Sequence, residues 1–170
     1  MARITLSVLG RAIAAVNAMG MAERVALSDE VFARQPNLLA SVLALQRFGA
    51  TLPQIEVALH VLLVAYQAIK TSGHVWPVIS EDTQERCLQR LTASMRFAEG
   101  LSPELANQAM QQSIVQHAEQ PLLAFAYANL REHDLLSVRT EAEKYLLLAV
   151  LNLVECIAHA APRAKSRCSR

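Results

Sequence analysis

Apolar residues recur along the chain mainly at intervals of three and four, the spacing that draws one face of an α-helix, and seldom in the strict alternation of a half-buried strand. From Leu52 to Ser72 the pattern is apolar almost all round. Ile55, Val57, Leu59, Val61, Leu62, Leu63, Val64 and Ile69 enclose one narrow polar stripe of Glu56, His60, Gln67 and Lys70. The segment from Thr140 to Pro162 repeats the arrangement, with a stripe of Asn152, Glu155 and His159. Helices this apolar have to lie at the centre of a bundle or bury a face against a second subunit. Both are therefore predicted to form the core.

Capping residues divide the rest. Ser28-Asp29-Glu30 predicts a short helix ended by Pro36, and Asn37 predicts the cap of another over Leu38–Phe48, closed by Gly49. Thr51-Leu52-Pro53-Gln54 has the capping-box form and opens the apolar helix that stops before Gly73. Ser80-Glu81-Asp82 starts a helix to Glu99, Ser102-Pro103-Glu104 one to about Glu119, Pro121 one to His133-Asp134, and Thr140-Glu141-Ala142-Glu143 the last. Connections are short, so sequential helices are expected as hairpins. The fold class predicted is all-α: a compact bundle of six or seven mostly antiparallel helices, one domain over residues 1–162, with a disordered basic tail at 163–170. Arg47-Phe48-Gly49 before Pro53 and Arg96-Phe97 before Pro103 resemble each other, but two weak copies do not make a solenoid.

Composition supports this picture and narrows function. Of 170 residues 28 are Ala and 25 Leu, aromatics are 5%, and Gly and Pro number 5 and 6, which favours helices over a turn-rich β domain. A chain of this length buries about 70% of its unfolded surface, enough for a core without disulfides or a structural metal. The last eight residues hold Arg163, Lys165, Arg167 and Arg170, so the body carries 12 basic against 15 acidic side chains. No basic face for sequence-specific nucleic-acid binding is expected. Cys87, Cys156 and Cys168 are odd in number and lack a Cys-x-x-Cys spacing, which points to reduced thiols and a cytoplasmic location. Ile4 to Val16 is apolar, but Arg11 interrupts it, so it is read as an amphipathic first helix rather than a secretory signal. Charged or polar residues break the other greasy runs, and no transmembrane segment is expected.

Candidate chemistry is sparse. Glu56 with His60 and Glu155 with His159 each set a carboxylate and an imidazole one helical turn apart. If the two stripes faced each other, the four side chains could hold a divalent transition metal. The interval of four differs from the Glu-x-x-His of di-iron bundles, and a solvated seam explains it more simply. His117 falls among Gln108, Gln111, Gln112, Gln116 and Gln120 and is read as part of a solvated face. His133 before Asp134 reads as a helix-end cation. No phosphate loop or nucleophile elbow occurs, and Cys87 and Cys156 lack a paired base. The loop Gly73-His74-Val75-Trp76-Pro77-Val78-Ile79 holds the only tryptophan: it either plugs the bundle or, with His74 and a rim of Arg86 and Arg90, docks a partner. The function expected is protein–protein interaction with another protein or itself, without catalysis and without a cofactor. The alternative is a metal-dependent or small-ligand-binding helical protein.

Overall fold

The computed structural model describes residues 2–98, 100–160 and 162–164. Eight α-helices lie among the described residues: α1 (Leu6–Ala18), α2 (Met21–Arg34), α3 (Pro36–Leu43), α4 (Leu52–Thr71), α5 (Glu81–Ala98), α6 (Pro103–Gln116), α7 (Gln120–Glu132) and α8 (Glu141–His159). A 3-10 helix over Ala44–Phe48 continues α3, and Gly49 (φ 88°) closes it in the left-handed region where only glycine escapes a steric penalty. Helix accounts for 78% of the described structure, so the all-α expectation holds. Two two-residue strands, β1 (His74–Val75) and β2 (Arg163–Ala164), pair antiparallel, with His74 opposite Ala164 and Val75 opposite Arg163. The tail expected to be disordered from residue 163 is therefore paired at its first two residues, and 165–170 lie outside the described residues.

Helix α4 is the axis of the molecule. Thr51 Oγ1 accepts from Gln54 N–H while the Gln54 side chain accepts from Thr51 N–H at 2.9 Å, the reciprocal cap its sequence predicts. Its apolar surface meets α1, α2, α3, α7 and α8, and α8 in turn packs on α3, α5 and α7. Among the described helices α4 alone is long and apolar enough to cross a membrane, and Val61, Leu62, Val64, Ala65 and Ala68 on it are wholly shielded by the bundle. One continuous cluster of buried side chains runs from Ile4 to Ala160.

Three helix ends differ from expectation, each because a more distant contact outweighs a local signal. Helix α2 starts at Met21, not Ser28: Glu23 reaches back to Gly20 N–H at 2.9 Å, and the longer helix lets Leu27 and Val31 reach the core. Ser28 instead donates to Arg24 O one turn earlier. Asn37 is not a cap. Pro36 takes the first position of α3, and Asn37 Nδ2 donates to Ile79 O at 2.8 Å, 42 residues away. Helix α6 stops at Gln116 rather than Glu119, because Glu119 leaves the helix to become a wholly buried anchor.

That anchor ties both ends of the chain together. Glu119 Oε1 accepts from Arg3 Nε at 2.8 Å and from Arg3 N–H at 3.2 Å, and Oε2 accepts from Ile4 N–H at 2.9 Å. The remaining guanidinium nitrogens of Arg3 donate to the carbonyls of Ala158 and Ala160 at the end of α8. The same guanidinium lies 5.1 Å from the ring centroid of Trp76. A buried charge of this kind persists only with its partner and hydrogen bonds in place.

Candidate functional site

The structure does not bring Glu56, His60, Glu155 and His159 together. Glu56 is exposed on α4. His60 is half-buried beside Phe125 of α7, ring centroids 6.1 Å apart, where burial and then the Arg24 charge push its pKa down. Glu155 and His159 do meet on α8, Oε2 to Nδ1 at 3.7 Å, but the second imidazole at Glu155 belongs to His117, with Nε2 3.2 Å from Oε1. Among the described residues no three His, Cys, Asp or Glu side chains are grouped as metal ligands would be.

The docking residues also change meaning. Trp76 is buried, and its Nε1–H donates to Ser72 Oγ at 3.2 Å. Gln35, itself buried, clamps the loop by donating to Pro77 O at 2.8 Å and accepting from Ile79 N–H at 2.9 Å. His74 is half-buried and its Nδ1 pairs with Ser72 O at 3.1 Å. Arg86 is exposed and folds back on its own helix, donating to Asp82 O and Thr83 Oγ1. The tryptophan is thus the plug of the bundle, and the exposed apolar side chains of its loop are Val75 and Val78.

The site the structure does build lies elsewhere, between α5, α6, α7 and α8. A cavity of about 800 Å³ opens there, within the range typical of small-molecule sites. Leu123 of α7 and Leu147 and Leu151 of α8 form its floor, and Leu91 and Met95 of α5 one wall. Helix α6 supplies the opposite wall with Pro103, Ala106, Asn107, Met110 and Ser113, positions spaced to share one face. Helix α6 has no wholly buried residue: it packs on α7, with Ile114 half-buried against the core, while the face with Ala106, Met110 and Ser113 borders the open space. Arg90, which was expected at the rim of the tryptophan loop, lines this cavity instead.

The titratable groups of the cavity come from three helices: Arg90 of α5, Tyr127 and Arg131 of α7, Glu155 and His159 of α8. His159 Nδ1 lies 2.9 Å from Glu155 O, and a carbonyl only accepts, so Nδ1 carries the proton and Nε2 of the neutral ring presents a lone pair. Behind the wall, Glu119 N–H donates to His117 Nδ1 at 3.1 Å, which fixes the opposite tautomer and leaves the proton on Nε2 facing Glu155. The His117–Glu155 approach is close but off the line of a hydrogen bond, so it becomes an ionic attraction when His117 is protonated. Contact with the His117 side chain is the main cause that lowers the Glu155 pKa, partly opposed by burial, with His159 and Arg90 adding to it; the group stays a carboxylate. Burial pushes the Tyr127 hydroxyl upward, and the Glu155 charge adds to the effect. It therefore remains a neutral donor.

His117 feels opposing effects. Burial disfavours its charged form, the Glu155 carboxylate outweighs that, and its pKa rises; the Glu119 N–H on Nδ1 favours the neutral ring and limits the rise. A raised imidazole stabilises the fold fully below its ordinary 6.5 and loses that contribution as pH climbs through its folded value. A lowered carboxylate contributes above its ordinary 4.5 and loses it as pH falls through its folded value. The pair is therefore strongest between those two ordinary values. Urea unfolding of wild type and His117→Gln should differ most near the middle of this window, by on the order of 1 kcal/mol, and less at alkaline pH. A difference that does not vary with pH would mean the pair is not ionic.

Sequence reasoning missed His117, Glu119, Tyr127 and Arg131. The only signal for the first two was the break before Pro121, which ends α6 early enough to turn both inward. Two buried thiols, Cys87 and Cys156, face each other where α5 crosses α8, and burial, with the neighbouring Cys87, raises the Cys156 thiol far above the nucleophilic range. No family model, curated protein or solved structure matches this chain.

Proposed function

We propose that this protein binds a small organic ligand in the cavity between α5, α6, α7 and α8. The observation that carries the reading is a cavity of about 800 Å³ with an apolar floor and convergent polar groups, two of which, the Tyr127 hydroxyl and His159 Nε2, have no hydrogen bond among the described residues. A helix that merely completed a core would seat leucines there; α6 brings Ala106, Asn107 and Ser113 and leaves room.

The neutral fluorophore phenylnaphthylamine tests this. One-to-one saturable binding to the wild type is expected, with a loss of about tenfold or more in Ala106→Trp and in Ser113→Trp, which fill the space from the exposed helix. Absence of saturable binding, or binding unchanged in both variants, would overturn the reading.

A second reading, association with another protein or a second copy, is supported by α2. Met21, Val25 and Phe32 are each more than half exposed and fall on one stripe. A change in native mass on Phe32→Glu is its test.

A further inference from the structure

We infer that the cavity takes an organic anion, a single-chain carboxylate whose tail lies on the leucine floor and whose head meets Arg131 and Tyr127. This rests on the ligand-binding reading above and adds the ligand's charge and shape.

Charge accounting inside the cavity comes first. Its lining holds two guanidiniums, Arg90 and Arg131, and one carboxylate, Glu155. Glu155 is already shared between His117 and His159. Neither arginine has a carboxylate within ion-pair distance among the described residues, although Arg3, the half-exposed Lys70 and the largely exposed Arg139 all do. The cavity therefore carries uncompensated positive charge against a low-dielectric wall, which attracts an anion and repels a cation.

Geometry places the head. Tyr127 and Arg131 are one turn apart on α7 and both line the cavity, so a hydroxyl donor and a planar fork of N–H donors share one face. A carboxylate is matched by that set, because guanidinium binds it bidentately and the phenol adds a third donor. On α8 Glu155 is eight residues beyond Leu147, about 12 Å along the helix with Leu151 between them, and its charge reaches Tyr127, so the head is held chiefly by Arg131. A carboxylate head would be repelled from Glu155 and drawn to Arg131. Most of the remaining lining is apolar, with Ser94, Asn107 and Ser113 among it, and Met95 of α5 and Met110 of α6 are unbranched side chains that adapt to a flexible chain. A rigid polar metabolite would leave this surface unsatisfied.

Displacement of bound phenylnaphthylamine from the full chain separates the outcomes. Dodecanoate, dodecanol and dodecyltrimethylammonium share a tail and differ in head charge. Dodecanoate should displace the probe at concentrations roughly tenfold or more below the other two. Arg131→Gln should erase that preference, with each competitor's concentration read relative to that variant's own affinity for the probe. Because Arg131 is exposed and makes no hydrogen bond within the described residues, its loss should leave the fold intact, and an unchanged unfolding midpoint checks this. If dodecanol equals dodecanoate, or the ammonium compound wins, the anion inference falls while ligand binding stands. If Arg131→Gln keeps the full preference, the head is not at Arg131 and the inference falls as stated. If the probe does not bind at all, the ligand-binding reading fails and takes this inference with it.

Discussion

Glu119→Ala should cost about 3–5 kcal/mol of unfolding free energy, the range found when one partner of a buried ion pair is removed. The carboxylate is wholly buried and satisfies three donors at once: Arg3 Nε, Arg3 N–H and Ile4 N–H. Alanine would leave the Ile4 amide without an acceptor in a place water does not reach, since Ile4 itself is fully buried. Arg3→Ala should be at least as costly, because it strands the charge on Glu119, while the double variant should lose less than the two single losses summed. Glu119→Gln keeps an acceptor and should fall between wild type and alanine. Urea unfolding followed by circular dichroism checks the series. A loss below about 1 kcal/mol for Glu119→Ala would mean that the N-terminal residues are not tied to the body through this pair.

Much of the fold could be read from the chain, and the reason is locality. Thr51 with Gln54, Ser102 before Pro103, and Thr140 with Glu143 announce helix starts because the groups that satisfy the first turn sit within three residues of the cap. The two greasy helices were recognisable as the core for an equally local reason: no surface helix can be apolar on nearly every side. Even here the residue before the cap modifies the outcome. In a capping box Glu143 would accept from the N–H of Thr140, but its carboxylate accepts from Arg139 N–H at 2.8 Å and pairs with the Arg139 guanidinium at 3.0 Å.

The site resisted reading because it is assembled from four helices. Glu119 sits in the run Gln116-His117-Ala118-Glu119-Gln120, which has every mark of a solvated surface, and only Arg3, 116 residues away, makes it a core residue. The cavity left no pattern because emptiness has none: the face of α6 that borders it mixes proline, alanine, asparagine, methionine and serine, and such a mixture looks like ordinary exposure. The Glu/His stripes failed as a pair for a geometric reason. Helices α4 and α8 do pack together, but His60 meets α7 and Glu155 meets His117, so the intervals of four are real while the facing is not.

Trp76→Ala is expected to cost about 3–5 kcal/mol, the usual range for removing a buried tryptophan, and this decides between the two roles its loop was given. A docking anchor would be exposed, and its loss would weaken a complex while leaving the monomer's stability nearly unchanged. The ring is instead buried, hydrogen-bonded to Ser72, covered by the Arg3 guanidinium and held in a loop that Gln35 clamps from both sides. For a domain of this length each kcal/mol shifts the thermal midpoint by about 2–4 °C, so a fall of roughly 10 °C is expected. Trp76→Phe keeps most of the volume but gives up the Nε1–H bond and part of the cation–π attraction, so it should lose only about 1–2 kcal/mol. Because Arg3 touches both Glu119 and Trp76, the Trp76 and Glu119 alanine variants should not add: once either contact is gone the guanidinium is less well held, and the second loss costs less. A thermal midpoint unmoved by Trp76→Ala would return the loop to the surface as a partner-binding element. Full additivity with Glu119→Ala would mean that Arg3 does not couple the two ends of the chain.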